Sequence, residues 1–206
     1  MDALVVYESL YGNTAKIAKA IGEGLTGRGL AAKVLPVDDV EPGVTEDVEL
    51  LVVGGPTHAH GMTSKATRTQ AANDQKNPFG DPTVTPGLRT WLRHLPSGYG
   101  RPVAAFDTRF HKSALITGSA AKGIAKRLDH QGYVPGRTES FFVTTDNTLV
   151  AGEEDRARAW GAGGTAAGTD RLARLVHRRR DGIADGADGI HQLLVRRVVT
   201  QGAAER

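Results

Sequence analysis

Short apolar runs recur along this chain, with helical patterns between them. Ala3-Leu4-Val5-Val6-Tyr7 is continuous enough for a parallel strand covered on both faces. Ile17, Ala18, Ile21 and Leu25 then follow at helical spacing, with Lys16, Lys19 and Glu23 on the opposite side. Ala32 to Val37 alternates and is broken by Pro36, which predicts a second strand at a sheet edge. Leu50-Leu51-Val52-Val53 predicts a third, ending at Gly54-Gly55-Pro56. Val103-Ala104-Ala105-Phe106 predicts a fourth, and Phe141-Phe142-Val143 a fifth. Helical patterns fall at Leu88, Trp91, Leu92 and Leu95, and again over Lys122 to Gln131 with Ile124, Ala125 and Leu128 inward. A last helix starts at Gly152 to Trp160, acidic in its first turn as the helix dipole prefers. Strands that alternate with helices predict a parallel sheet with helices on both faces.

The chemistry begins between the first strand and the first helix, at Ser9-Leu10-Tyr11-Gly12-Asn13-Thr14. A loop of small hydroxyl and amide residues at a helix start aims free backbone N–H groups at one spot. The helix dipole adds to them, so the spot suits a phosphate. The loop has no Lys or Arg, and the nucleoside-triphosphate string G-x-x-x-x-G-K-[ST] is absent from the chain. A Gly-Asn turn that only caps the helix is the alternative. Two further glycine clusters are set aside as dinucleotide fingerprints. Gly22-Glu23-Gly24-Leu25-Thr26-Gly27 lies at the end of a helix, where it reads as glycine-rich termination. Gly161-Ala162-Gly163-Gly164-Thr165-Ala166 has no strand before it.

The loop resembles that of the flavodoxins, whose FMN-phosphate loop has the form [ST]-x-x-G-N-T after the first strand. The resemblance implies a flavodoxin-like three-layer α/β sandwich, its five-stranded parallel sheet in the order 2-1-3-4-5. It implies FMN as cofactor, with hydroxyls from Ser9 and Thr14 and backbone amides from Leu10, Tyr11, Gly12 and Asn13 on the phosphate. Two loops would then flank the flavin ring. After the third strand, Pro56-Thr57-His58-Ala59-His60-Gly61 matches the form P-T-W-x-x-G, with His58 in place of tryptophan. After the fourth comes Asp107-Thr108-Arg109-Phe110, where Phe110 is the one ring placed to substitute for the usual tyrosine. Flavin electronics follow stacking, hydrogen bonding and nearby charge. His58 and Arg109 should therefore make the potential of the fully reduced flavin less negative than in a typical flavodoxin, partly with histidine protonation near pH ~6.5.

His58 and His60 lack a third ligand at metal-binding spacing, so they read as loop histidines or flavin contacts rather than a metal site. Asp38 and Asp39 read as a solvated pair, and no nucleophile–base arrangement stands out, so no catalytic residue is assigned. Cysteine is absent, which excludes disulfides, thiolate metal sites and iron–sulfur clusters. The chain shows no charged-then-apolar leader and no apolar run of about 18 residues, from which a cytoplasmic location and no membrane association are expected.

The net charge of +3 is unevenly spread. Residues 1–160 carry 18 basic and 18 acidic residues, whereas residues 161–206 carry 8 and 5. No concentrated basic module appears, so nucleic acid is not an expected partner. The 206 residues suit a domain over 1–160 with a polar insertion loop at 64–86, followed by a divergent extension at 161–206. In the extension, Thr169-Asp170 could cap a short helix, and Arg178-Arg179-Arg180 resembles nothing in the family. Disorder, substitute cover for the sheet and an altered reading frame are three readings of it. Functionally, an electron carrier that docks redox partner proteins as a monomer or homodimer leads. An FMN-dependent NAD(P)H:quinone-type oxidoreductase and a flavin-free interaction module are the alternatives.

Overall fold

A computed structural model describes residues 1–58, 60–74, 77, 85–111 and 118–163. In chain order these form β1 (Ala3–Tyr7), α1 (Asn13–Gly27), β2 (Ala32–Pro36), β3 (Leu50–His58), β4 (Gly61–Met62) and α2 (Lys65–Ala72). Then come α3 (Gly87–His94), β5 (Pro102–Phe110), α4 (Ala120–His130), β6 (Val134–Val143) and α5 (Glu153–Gly161). The sheet runs β2-β1-β3-β5-β6, all parallel, with the short β4 folded back antiparallel on β3. Leaving β4 aside, this is the expected five-strand order 2-1-3-4-5.

Alternation along β1 divides the interior into two layers. Ala3 and Val5 point to one face, against Ile17, Ile21 and Leu25 of α1 and Ala157 and Trp160 of α5. Leu4 and Val6 point to the other, against Leu88 and Leu92 of α3 and Ile124 and Leu128 of α4. Removing one such side chain, as in Ile124→Ala, costs about 2–5 kcal/mol from lost transfer energy plus the cavity.

The apolar runs mark the middles of the strands but not their ends. β3 continues through Gly54-Gly55-Pro56 to His58, and β5 continues through Asp107 to Phe110, where loops were expected. The reason is pairing: Gly55 stays in register with Asp107 and Pro56 with Thr108, while Thr108 to Phe110 pair with Phe141 to Val143. A continuous apolar run signals burial on both faces, whereas the strand ends are polar and partly open.

One further expectation is corrected. The polar stretch 64–86 contains α2, started by a reciprocal cap in which Thr67 N–H donates to Ser64 Oγ and Ser64 N–H donates to Thr67 Oγ1. The Gly22–Gly27 cluster forms the last turns of α1, which ends at Gly27 with Gly29 at φ +82° just beyond, and it also serves packing. A Cβ on Gly24 would sit 2.1 Å from the Arg158 carbonyl oxygen, and one on Gly161 would sit 2.3 Å from that of Ile21. These glycines let α1 and α5 approach backbone to backbone. The readings made for residues 164–206 lie outside the described residues.

Candidate functional site

A cleft of about 280 Å³ opens at the carboxyl ends of β1, β3 and β5. At one end lies the turn from β1 into α1. Gly12 takes φ +84°, a left-handed conformation that favours glycine, and starts the helix without a side-chain cap. Ala15 N–H donates to Ser9 Oγ at 3.2 Å. The N–H groups of Leu10, Tyr11, Gly12, Asn13 and Thr14 find no acceptor among the described residues. No acidic side chain occupies the first turn of α1. Five converging donors at the positive end of a 15-residue helix form an anion cradle.

Hydroxyls complete it. Thr14 Oγ1 and Thr108 Oγ1 are 2.7 Å apart and share one proton between them, which leaves the other free to donate onward. Ser9 Oγ accepts from Ala15, so its own proton remains available. Asn13 is fixed by donation from its side-chain amide to the Asn147 carbonyl at 2.7 Å.

The opposite end is assembled from distant segments. His58 and Tyr11 lie nearly parallel, with ring centroids 6.3 Å apart and an interplanar angle of 21°. The Tyr11 hydroxyl donates to Asp74 Oδ2 at 2.8 Å. Burial, the Asp74 hydrogen bond and its charge push the Tyr11 phenol up to about 12, so it stays protonated. Burial alone lowers the His58 imidazole below its ordinary value, which keeps it neutral at pH 7. Phe110 stands 45% exposed at the rim, and the Arg109 guanidinium lies 5.0 Å from the Phe142 ring centre.

Of the residues expected to contact the cofactor, Leu10, Tyr11, Asn13, Thr14, Pro56, Thr57, His58, His60, Thr108, Arg109 and Phe110 line this cleft together. Ser9 and Gly12 shape its floor through the bonds above. Gly61 pairs with His58 across a tight hairpin, in which His60 takes φ +73°. Asp107 does not reach the cleft. It is fully buried, and its Oδ2 accepts from Ser119 Oγ at 2.7 Å and Ala121 N–H at 2.9 Å, so it caps α4. Thr57 Oγ1 shares that duty by accepting from Ala120 N–H. Ala59 lies outside the described residues.

Sequence reasoning missed Val143 and Asn147, which close the cleft from the turn after β6, and Asp74, which anchors Tyr11. The cluster Thr144-Thr145-Asp146-Asn147-Thr148 signals a turn. Nothing local says which site that turn faces.

The flavodoxin family model matches residues 5–90, which span β1, the cradle, β3, α2 and the start of α3. That match takes in 86 of the 206 residues, including the whole anion cradle. Among solved structures it is similar to an archaeal flavodoxin, at 19% identity and TM-score 0.54 over 84% of this chain and 99% of that one. Oxidised flavodoxin 1 of Bacillus cereus matches at 14% identity and TM-score 0.55, over 79% and 95%. Rubredoxin oxygen:oxidoreductase of Desulfovibrio gigas matches at 16% and 0.53, where 85% of this chain covers 37% of that one. At these identities the likeness shows the fold. No curated relative matches the chain in sequence.

Members of the flavodoxin family bind flavin, and the cradle fits such a cofactor at its phosphate end. Among the described residues the donors are unpaired, and the first helical turn carries no acid. Among the described residues no helix is long and apolar enough to cross a membrane.

Proposed function

We propose that this chain binds FMN in the β1–β3–β5 cleft and acts as an electron-transfer flavoprotein, exchanging electrons at the ring edge with redox partner proteins in the cytoplasm. The observation that carries the proposal is the row of five unpaired backbone N–H groups over Leu10–Thr14, at a helix start free of acidic side chains. FMN, when bound, supplies the one- and two-electron redox chemistry; the protein binds and orients it and sets its surroundings. In this reading the backbone N–H groups and the Ser9 and Thr14 hydroxyls hold the phosphate.

The ring would lie toward His58, Arg109 and Phe110. His58, neutral at pH 7, presents one ring N–H and one acceptor nitrogen, and Arg109 brings a fixed positive charge. Positive charge there favours the reduced, anionic flavin, which supports a less negative potential than that of a site lined by aromatic and acidic groups. Tyr11, held by Asp74, fixes the depth at which a planar group enters. In this reading the chain's part is to bind and tune the flavin.

Reconstitution with FMN followed by visible absorbance tests the reading. Stoichiometric binding with a shifted flavin band is expected, and no bound flavin would overturn it. Assaying the same sample for NADH oxidation separates a carrier, which turns over slowly without a reductase, from an oxidoreductase.

A further inference from the structure

Thr67, Gln70 and Asp74 face the ring end of the cleft, whereas Lys65 and Arg68 of the same segment face a second cavity of about 310 Å³ between the starts of α2 and α3. Four cations line that cavity, Lys65, Arg68, Arg89 and Arg93, and among the described residues no carboxylate does. Arg68 is buried and already balanced. Its Nε lies 3.0 Å from Glu8 Oε1, and its terminal nitrogens donate to the Thr85 carbonyl and hydroxyl. Glu8 sits beneath, where it also accepts from the Thr63 hydroxyl and the Leu88 N–H.

Among the described residues the other three charges have no ion-pair partner. Arg89 Nε donates to the Thr63 carbonyl at 2.9 Å, and its Nη2 donates to the Met62 carbonyl at 2.7 Å. Carbonyls fix the guanidinium without cancelling its charge, so Arg89 is pre-placed at the cavity wall. Arg93 donates only to the Thr90 hydroxyl, and neither it nor Lys65 forms an ion pair among the described residues. The first turns of α2 and α3 contain no acidic residue either. Three unpaired cations around a concavity repel one another, and a dianion relieves that repulsion.

We propose that this cavity binds the phosphoryl group of a small phosphorylated ligand, separate from any phosphate held by the Ser9–Thr14 loop. A pre-fixed guanidinium fork beside a second arginine and a lysine suits a tetrahedral dianion. Three cations gathered around one concavity of about 310 Å³ match a compact dianion better than carboxylates spread over a protein surface. The inference stands whether or not the cleft takes FMN.

Calorimetric titration of the full chain at low ionic strength with pyrophosphate and with ADP tests it, each with and without saturating FMN. One site is expected that FMN leaves unaffected and that Thr14→Val does not weaken. The double variant Lys65→Gln/Arg93→Gln should bind about tenfold or more weakly, since each charge-assisted bond contributes on the order of a tenfold change. Both side chains are exposed, so this variant serves even if Arg89→Gln, expected to weaken binding further, proves unstable. ADP binding tighter than pyrophosphate would assign a nucleotide, and equal binding a free phosphate compound; either upholds the proposal. Pyrophosphate displaced by FMN and indifferent to Lys65 and Arg93 would place the anion in the loop and overturn it. So would the absence of binding by both probes, or binding of poly-glutamate alone, which would assign the cavity to an acidic protein.

Discussion

The two ends of the cleft are built in opposite ways. The phosphate end comes from one continuous stretch, Ser9 to Ala15, whose donors are set by the strand–turn–helix geometry itself. The ring end draws on Tyr11, His58, Asp74, Arg109, Phe110 and Asn147, which meet only in the folded chain. Locally built sites are specified by backbone conformation, so side chains there matter less than their N–H groups. Assembled sites are specified by side chains, so each substitution retunes them.

That contrast can be broken or sharpened by mutation. The largest effect is expected from Thr14→Val, which leaves the buried Thr108 hydroxyl without its partner. It should cost about 1–3 kcal/mol of stability in denaturant unfolding and weaken FMN binding as well. Gly12→Ala forces a side chain into the left-handed region, at about 1–2 kcal/mol. Because the distortion falls on the cradle, FMN affinity in a fluorescence-quenching titration should drop roughly tenfold. At the ring end, Tyr11→Phe removes the bond to Asp74, worth about 0.5–1.5 kcal/mol, and should shift the flavin band more than it weakens binding.

The smallest effect is in pH dependence. Burial lowers the folded-state pKa of His58 below its ordinary 6.5, so the unfolded chain takes up this proton first. This contribution to stability is complete above the ordinary value and declines as pH falls from about 6.5 through the lower folded value, by at most about 1.4 kcal/mol per pH unit. Thermal unfolding of the native chain against His58→Gln between pH 5 and 8 reads it, and the slope difference should vanish above neutrality. The same lowering moves any histidine-linked change in flavin potential below the pH of about 6.5 expected for an unburied ring.

How much of this was legible in the sequence follows the same division. β1, the cradle and α1 were readable because an apolar run, a short polar turn and a helical stripe follow one another without interruption. Both helix layers follow from the strand–helix alternation, whereas the sheet order comes from the flavodoxin resemblance. The strand ends at Pro56–His58 and Asp107–Phe110 were read as loops, because their pairing partners lie in other strands. α2 was overlooked although Ser64 and Thr67 form a reciprocal cap, since its low apolar content gives no helical stripe. The resemblance puts Asp107 on the cofactor as part of the loop after the fourth strand, yet its carboxylate caps α4. Asn147 and Asp74 carried no local sign of their target.

In the proposed function the phosphate end dominates recognition. Parallel calorimetric titration of the cofactor-free chain with FMN and with riboflavin tests it directly, because the two differ only in the phosphate. FMN should bind stoichiometrically, and riboflavin at least about a hundredfold more weakly, as expected when several charge-assisted bonds are lost. Equal affinities, or no binding of FMN, would contradict it.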